Sequence, residues 1–180
     1  MIRTGATASL LATLLVMTGC TRAEPQTPAP SPSASSSSSM SPTATPSDSP
    51  EAQAAQAVVA FWKLRDQLAS DPSQGVTKLA EVARGQALDV HRRSLNAQAA
   101  QGWKQVGFVT VTAGTVKSTD KPGEYSVVAC VNVSTVNIVD AEGKSHVPPG
   151  RPEQSAYTYK VQQDGAQWYV VEDLLEATPC

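Results

Sequence analysis

Residues 124–139 read EYSVVACVNVSTVNIV, and this stretch decides the fold of the chain. Branched and small apolar residues alternate along it with hydroxyl, amide and thiol side chains, which is the two-residue period of a strand with one buried face. The more apolar face carries Val127, Ala129, Val131 and Val133, and the mixed face carries Val128, Cys130, Asn132 and Ser134. The stretch therefore predicts a long strand in a sheet that is covered on one side.

The rest of the second half has a similar composition, because Val, Thr and Tyr replace Ala and Gln after Gly102. Further strands are predicted at about 103–117, 154–162 and 167–172. Glycine-containing turns separate them, so the strands are expected to be antiparallel. Three prolines between residues 147 and 152 indicate a loop or a broken edge there.

Three helices are predicted before the sheet. The first begins at Ser49-Pro50-Glu51, with a hydroxyl N-cap, a proline and an acid in the order that helix starts prefer, and it continues to about Ala69. Asp71-Pro72 starts a short second helix that Gly85 can end, and the third covers 86–101. The predicted class is α+β, with three N-terminal helices packed on a curved antiparallel sheet of four or more strands.

The N-terminus indicates export. Arg3 gives a positive start, and the apolar run that follows is too short to span a bilayer. It closes at Met17-Thr18-Gly19-Cys20, which resembles the lipobox of bacterial lipoproteins, although Met17 stands where leucine is usual. The resemblance implies that residues 1–19 are a signal peptide and that Cys20 is acylated, which would anchor the protein at the extracytoplasmic face of the cell membrane. A plain secretory signal with an incidental cysteine is the alternative.

Residues 20–50 consist almost entirely of Pro, Ser, Thr and Ala after the cysteine. Such a segment cannot form a core, so we expect a disordered tether between the membrane and a globular domain at 51–180. A proline-rich recognition motif is the alternative, but flanking basic or aromatic residues are missing.

The chain has three cysteines, and acylation of Cys20 would leave Cys130 and Cys180 in an oxidising compartment. A disulfide between them is predicted, and it would close about 50 residues and contribute about 4 kcal/mol in the chain-entropy picture. Two reduced thiols are the alternative. No metal site is expected, because His91 and His146 lack ligand spacing, and nothing indicates a cofactor.

The net charge of the whole chain is −2, so it lacks the basic field that nucleic acid would require. Nucleic acid is therefore not an expected partner. We expect a monomer, or a homodimer formed through an exposed sheet face.

Three segments carry a resemblance to a known family: EVARGQAL at 81–88, VACVNV at 128–133 and WYVVED at 168–173. They resemble the nuclear transport factor 2-like superfamily, and look closest to actinobacterial lipoproteins of that kind. The resemblance implies a cone-shaped domain, often with a pocket between the sheet and the helices. Enzymes of the superfamily place a carboxylate or histidine and tyrosines in the cone, but no such set can be matched here residue by residue.

The weak catalytic candidates are Asp66, Glu172 and Asp173, since a buried carboxylate has a raised pKa and can act as a base. An exposed pair with Lys63 is the alternative for Asp66. His91 is interpreted as part of a solvated helical face, and His146 as an exposed loop residue. The candidate pocket-lining residues are Trp62, Asn132, Tyr157, Tyr159 and Trp168.

The sequence identifies no reaction. The first functional hypothesis is a membrane-tethered, extracytoplasmic module that binds a small apolar ligand or an envelope protein without catalysis. The alternative is a small isomerase-like, dehydratase-like or hydrolytic enzyme that uses a carboxylate in a cone-shaped pocket.

Overall fold

The computed structural model of the chain describes residues 49–176 and residue 180. Within these residues, two α-helices precede six strands. The helices are α1 (Pro50–Ser70) and α2 (Gly85–Ala100), with two 3-10 helices, Pro72–Gln74 and Val76–Glu81, between them. The strands are β1 (Lys104–Val106), β2 (Thr110–Ser118), β3 (Glu124–Asn132), β4 (Asn137–Val139), β5 (Gln154–Asp164) and β6 (Gln167–Leu175). Neither α-helix is both long and apolar enough to cross a bilayer.

Helix α1 begins where the sequence predicts. The Ser49 hydroxyl accepts a hydrogen bond of 3.1 Å from the Ala52 amide, and Pro50 occupies the first turn. Its buried side carries mostly apolar residues, with the large side chains of Phe61 and Trp62 near the middle. This face packs against the sheet.

The second of the three predicted helices is not confirmed. The segment after Asp71 forms two 3-10 helices that are separated by Gly75, whose φ of 83° interrupts a continuous helix. Gly85 does not end this segment and instead begins α2. The reason is that Ala83 forms a parallel bridge with Val170, so the chain pairs with the edge of β6 before it turns into α2.

Four strands form an antiparallel sheet in the order β2-β3-β5-β6, which confirms an α+β fold with a curved sheet of four strands. The inner face of the sheet, defined as the side that packs on the helices, contains Val127, Ala129 and Val131 of β3 with Tyr159 and Val161 of β5. The opposite side is the outer face. Register shifts in β2 and between β5 and β6 mark irregularities of the kind that bend a sheet.

Two predicted strands are each broken in two, and the breaks face one another. The predicted strand at 103–117 divides into β1 and β2 at Gly107, and the one at 124–139 divides into β3 and β4 near Thr135. Gly107 has a φ of 77°, and a Cβ atom there would collide with the Thr135 carbonyl. The backbones therefore approach closely at the break, and β1 and β4 continue as a separate two-stranded ribbon.

The predicted disulfide is present. Cys130 and Cys180 are joined, with their Cα atoms 5.7 Å apart. Ala129 and Val131 on either side of Cys130 are buried on the inner face. Cys130 therefore points to the outer face, and the bond fastens the last residue of the chain there.

Candidate functional site

Trp62 is the centre of the candidate site. Its indole Nε1 donates a hydrogen bond of 2.8 Å to the Tyr159 hydroxyl on the inner face of β5. The Phe61, His91 and Tyr157 rings surround it edge-on, with centroids 5.8, 5.5 and 6.4 Å away. Trp62 is therefore fixed in place and only 6% exposed.

The larger of the two cavities beside Trp62 has a volume of about 460 Å³ and lies between α1 and the β1–β2 region. Val59 and Phe108 stand in its wall and are 45% and 64% exposed. The complete lining is Val59, Trp62, Lys63, Asp66, Gln67, Ser70, Gly107, Phe108, Val109 and Val111. The cavity is thus mostly apolar, with polar groups contributed by α1.

The smaller cavity has a volume of about 260 Å³ and lies between Trp62, the inner face and the proline-rich loop before β5. Its lining is Trp62, Val131, Val133, Arg151, Pro152, Ser155, Tyr157 and Leu175. The two cavities share Trp62. Together they provide concave, largely apolar surface with a few polar groups, as small-molecule sites do.

Asp66 lines the larger cavity and is held by a network. Its Oδ1 accepts a hydrogen bond of 2.8 Å from the Gln105 side chain, and its Oδ2 accepts one of 2.6 Å from the Val109 amide. Arg65 donates a hydrogen bond of 2.7 Å to the Gln105 side chain, and its guanidinium lies 3.6 Å from the Asp66 carboxylate. Burial lowers the pKa of Arg65, and the neighbouring Asp66 opposes that shift. Asp66 is paired with these groups rather than with Lys63, and both of its oxygens are occupied.

His91 is buried, so its interpretation as part of a solvated helical face is wrong. Ala87, His91 and Leu95 stand four residues apart and form the buried side of α2. His91 Nε2 lies 2.6 Å from Asp173 Oδ2, and its ring packs edge-on against Phe61 at 4.8 Å. The sequence contains a signal for this burial, because His91 stands four residues after Ala87 and four before Leu95, on the same side of the helix.

A register shift decides which of two adjacent acids faces the helices. Val161 pairs with Val170, but Lys160 pairs with Glu172, so one extra residue stands in β6 at this point. Regular alternation from Val170 would turn Glu172 inward, whereas the extra residue turns Asp173 inward. Glu172 instead pairs with Lys160 at 2.7 Å near the surface.

Asp173 lies behind the cavities and not in them. Its side chain is 7% exposed, and its Oδ1 is buried without a hydrogen-bond partner among the described residues. Neither Asp173 nor His91 lines either of the two cavities beside Trp62.

The two candidate tyrosines on β5 are stacked, with centroids 5.9 Å apart. Burial raises the pKa of Tyr159, and the hydrogen bond from Trp62 partly opposes that shift. Burial also raises the pKa of Tyr157. Tyr157 lines the smaller cavity, whereas Tyr159 is fully buried beneath Trp62.

The remaining candidates lie elsewhere. Asn132 accepts a hydrogen bond of 2.9 Å from the Ser134 amide in the turn after β3. Trp168 donates a hydrogen bond of 2.7 Å to the Gln53 side chain. Neither residue lines the two cavities. The prediction that His146 is exposed is wrong, since its ring stacks on Trp103 at 4.0 Å and its side chain is 23% exposed. Cys20 lies outside the described residues.

Several polar residues of the site were not among the sequence candidates, including Ser155 in the smaller cavity. Gln105 and Arg65 hold Asp66, and Arg151 lines the smaller cavity. Gln105 is 1% exposed, but it stands between Lys104 and Val106, so the sequence gives no alternation signal for a buried amide there. Arg151 follows Gly150 and precedes a proline, which indicates only a loop.

Comparison with known proteins supports the fold alone. No protein-family model matches the chain, and no curated protein matches it in sequence. The solved intermembrane space region of the chloroplast protein ARC6 is similar, with a TM-score of 0.53 at 18% identity over 69% of this chain and 95% of that one. Aln2 from a Streptomyces species gives a TM-score of 0.44 at 15% identity over 67% and 88% of the two chains.

Proposed function

We propose that this chain is a membrane-tethered extracytoplasmic lipoprotein whose domain, a nuclear transport factor 2-like cone, binds a small apolar ligand without catalysis. The observation that carries the proposal is the pair of cavities that share Trp62. Most of the surface of their walls is apolar, so an apolar ligand would gain by leaving water.

The shape of this site is fixed before any ligand arrives. Trp62 is held by the Tyr159 hydroxyl and by three rings, and Asp66 ties α1 to the backbone of Val109. A preformed site avoids the entropy cost of ordering its walls on binding.

The arrangement favours binding over turnover. A general base must reach the proton that it removes, directly or through one water. Asp173 and His91 line neither cavity, and both oxygens of Asp66 already accept hydrogen bonds. Glu172 is paired with Lys160. The enzymatic alternative therefore has less support.

An envelope protein is a second candidate occupant. The side chains of Phe108 and Val59 are 64% and 45% exposed at the larger cavity, and exposed apolar residues at a rim can contact a partner. The same experiment separates the two occupants by the mass of what is retained.

Native mass spectrometry of the protein purified from its own host tests the proposal. We expect a retained small molecule. Val59→Trp fills the larger cavity and Leu175→Trp fills the smaller one, and retention should be lost in the variant whose filled cavity holds the ligand.

Each filling variant has a matched control. Val90 is 38% exposed on α2, and Leu174 is 51% exposed next to Leu175 in β6; neither lines the two cavities. Val90→Trp and Leu174→Trp should keep the ligand. An empty wild-type protein would refute the small-ligand proposal, and a retained protein chain would favour the second candidate.

The anchor is tested separately by feeding cells an alkyne-labelled palmitate. We expect the label on the wild-type chain in the membrane fraction, and neither label nor membrane association for Cys20→Ser. An unlabelled, water-soluble wild-type protein would refute the lipid anchor and leave the ligand proposal standing.

A further inference from the structure

Arg151 is a half-buried cation in the wall of the smaller cavity. Its Nη2 donates to the carbonyls of Val133 and Val136, both at 2.9 Å, and this fixes the guanidinium against the turn after β3. A guanidinium has five N–H donors, and these bonds use only those of Nη2. Within residues 49–176 and 180, the Nε and Nη1 donors have no partner and no carboxylate forms an ion pair with Arg151. Within the described part of the chain, the site therefore carries a positive charge that no carboxylate pairs with.

Two hydroxyl groups from β5 line the same cavity. Ser155 and Tyr157 are two residues apart and so lie on the same side of the strand. Neither hydroxyl has a hydrogen-bond partner in the described part of the chain. The Tyr157 phenol is protonated at neutral pH, as phenols are, and can donate. Burial and then the nearby Asp173 raise its pKa further.

The cavity is thus rich in donors and carries no acidic side chain in its lining. An ionised carboxylate is the complementary group, because it only accepts hydrogen bonds and pairs bidentately with a guanidinium. An apolar body would fit the remaining lining residues, which are Trp62, Val131, Val133, Pro152 and Leu175. The volume of about 260 Å³ lies below the range of about 300–1,000 Å³ for drug-sized ligands, so that body must be small.

We propose that the smaller cavity binds a small monocarboxylic acid, with the carboxylate held by Arg151 and the Ser155 and Tyr157 hydroxyls and the apolar body against Trp62. This inference rests on the proposed function and specifies the ligand class of that site. The acid would supply the counter-charge that Arg151 lacks.

Isothermal titration calorimetry on residues 20–180 with Cys20→Ser tests this, since that chain carries no acyl group that could compete. The probes are octanoate and benzoate, each matched with its neutral alcohol, 1-octanol and benzyl alcohol. We expect at least one of the acids to bind about tenfold or more tightly than its alcohol at neutral pH, as hydrogen bonds to a charged group imply.

The variants then locate the carboxylate. Arg151→Gln should weaken binding of the preferred acid about tenfold or more and leave that of the alcohol unchanged. Ser155→Ala and Tyr157→Phe should each weaken it about threefold to tenfold, and they keep the test decisive if Arg151→Gln fails to fold. The controls Arg93→Gln and Tyr125→Phe lie outside the cavity lining and should have no effect.

Each outcome separates the two proposals. Equal binding of acid and alcohol, with no effect of the three variants, would overturn the carboxylate assignment and leave apolar binding intact. Tighter binding of octyl phosphate than of octanoate would also overturn it, in favour of a phosphate. Failure of all probes to bind, together with an empty protein in native mass spectrometry, would overturn both.

Discussion

Asp66 and Asp173 are both partly buried carboxylates near Trp62, with side chains 11% and 7% exposed, but they are held in different ways. Asp66 accepts from a side-chain amide and a backbone amide, one on each oxygen. Asp173 contacts the His91 ring through one oxygen, and its other oxygen has no partner in the described residues. The difference shows that burial alone does not make a carboxylate available for chemistry, because its partners decide what it can do.

The two acids also join different parts of the fold. Asp66 links α1 to the start of β2 through the Val109 amide. Asp173 links β6 to α2 through His91. Each oxygen of Asp66 therefore has a hydrogen-bond partner, whereas only one oxygen of Asp173 has one. Replacing the two acids should lower the stability of the fold by different amounts.

The largest expected effect is that of Asp66→Ala, which should lower the free energy of unfolding by about 4 kcal/mol. The change leaves the Gln105 amide and the Val109 amide without an acceptor and the Arg65 guanidinium without its acidic neighbour. Denaturant unfolding measures it. The exposed Asp89, changed to Ala, is the control and should cost less than about 0.5 kcal/mol. A loss below about 1 kcal/mol for Asp66→Ala would contradict the stabilising link between α1 and β2.

Asp173→Ala should cost less, about 2 kcal/mol, because only one hydrogen bond is lost and a buried oxygen without a partner is removed with it. The adjacent Glu172→Ala is the matched control. Its pair with Lys160 is 40% exposed on the Lys side, so its loss should cost under about 1 kcal/mol. If Asp173→Ala proves as costly as Asp66→Ala, the contrast between the two acids fails.

Tyr159→Phe should cost about 1.5 kcal/mol, since it leaves the buried Trp62 indole without its acceptor while it keeps the ring stacking on Tyr157. Thermal unfolding at fixed pH measures the loss. Tyr125→Phe is the control because the Tyr125 hydroxyl makes no hydrogen bond within the described residues. Equal melting temperatures for wild type and Tyr159→Phe would show that the indole contact does not stabilise the fold.

The smallest effect is a loss of stability at alkaline pH. The pKa of the Tyr159 phenol is raised above its ordinary value of 10.0 in the folded protein, so the unfolded chain loses this proton first as the pH rises. The contribution of the protonated Tyr159 phenol to stability is complete below about pH 10 and decreases above it. At pH 11 the free energy of unfolding should be lower by about 1 kcal/mol. Wild type should therefore lose more stability between about pH 9 and pH 11 than Tyr159→Phe does. Parallel pH profiles for the two proteins would rule this out.

Much of the fold follows from the sequence because it depends on local signals. The cap at Ser49, the alternation in β3 and the glycine turns each act within a few residues, and the structure contains the corresponding helix, strand and turns. The disulfide was also predictable, since the chain has only three cysteines and the expected acylation of Cys20 would leave Cys130 and Cys180 as the one possible pair.

The remainder depends on contacts between distant residues. The strand breaks at Gly107 because the backbone there approaches the Thr135 carbonyl. Asp173 rather than Glu172 faces the helices because of one extra residue in β6. Arg151 reaches the site because its loop packs on the turn after β3. No local pattern in the sequence encodes these approaches, so the place of Arg151 in the site could not be predicted, whereas Asp66, Tyr157 and the apolar core could.

The bond between Cys130 and Cys180 has a consequence for proteolysis. Strands β4, β5 and β6 all lie between the two cysteines, as does the exposed segment at 141–145. A protease that cuts this segment would divide the polypeptide, yet the two pieces would stay covalently joined. A nicked protein would migrate as one species on a non-reducing gel and as two after reduction, because the disulfide would still hold the C-terminal piece to the N-terminal one.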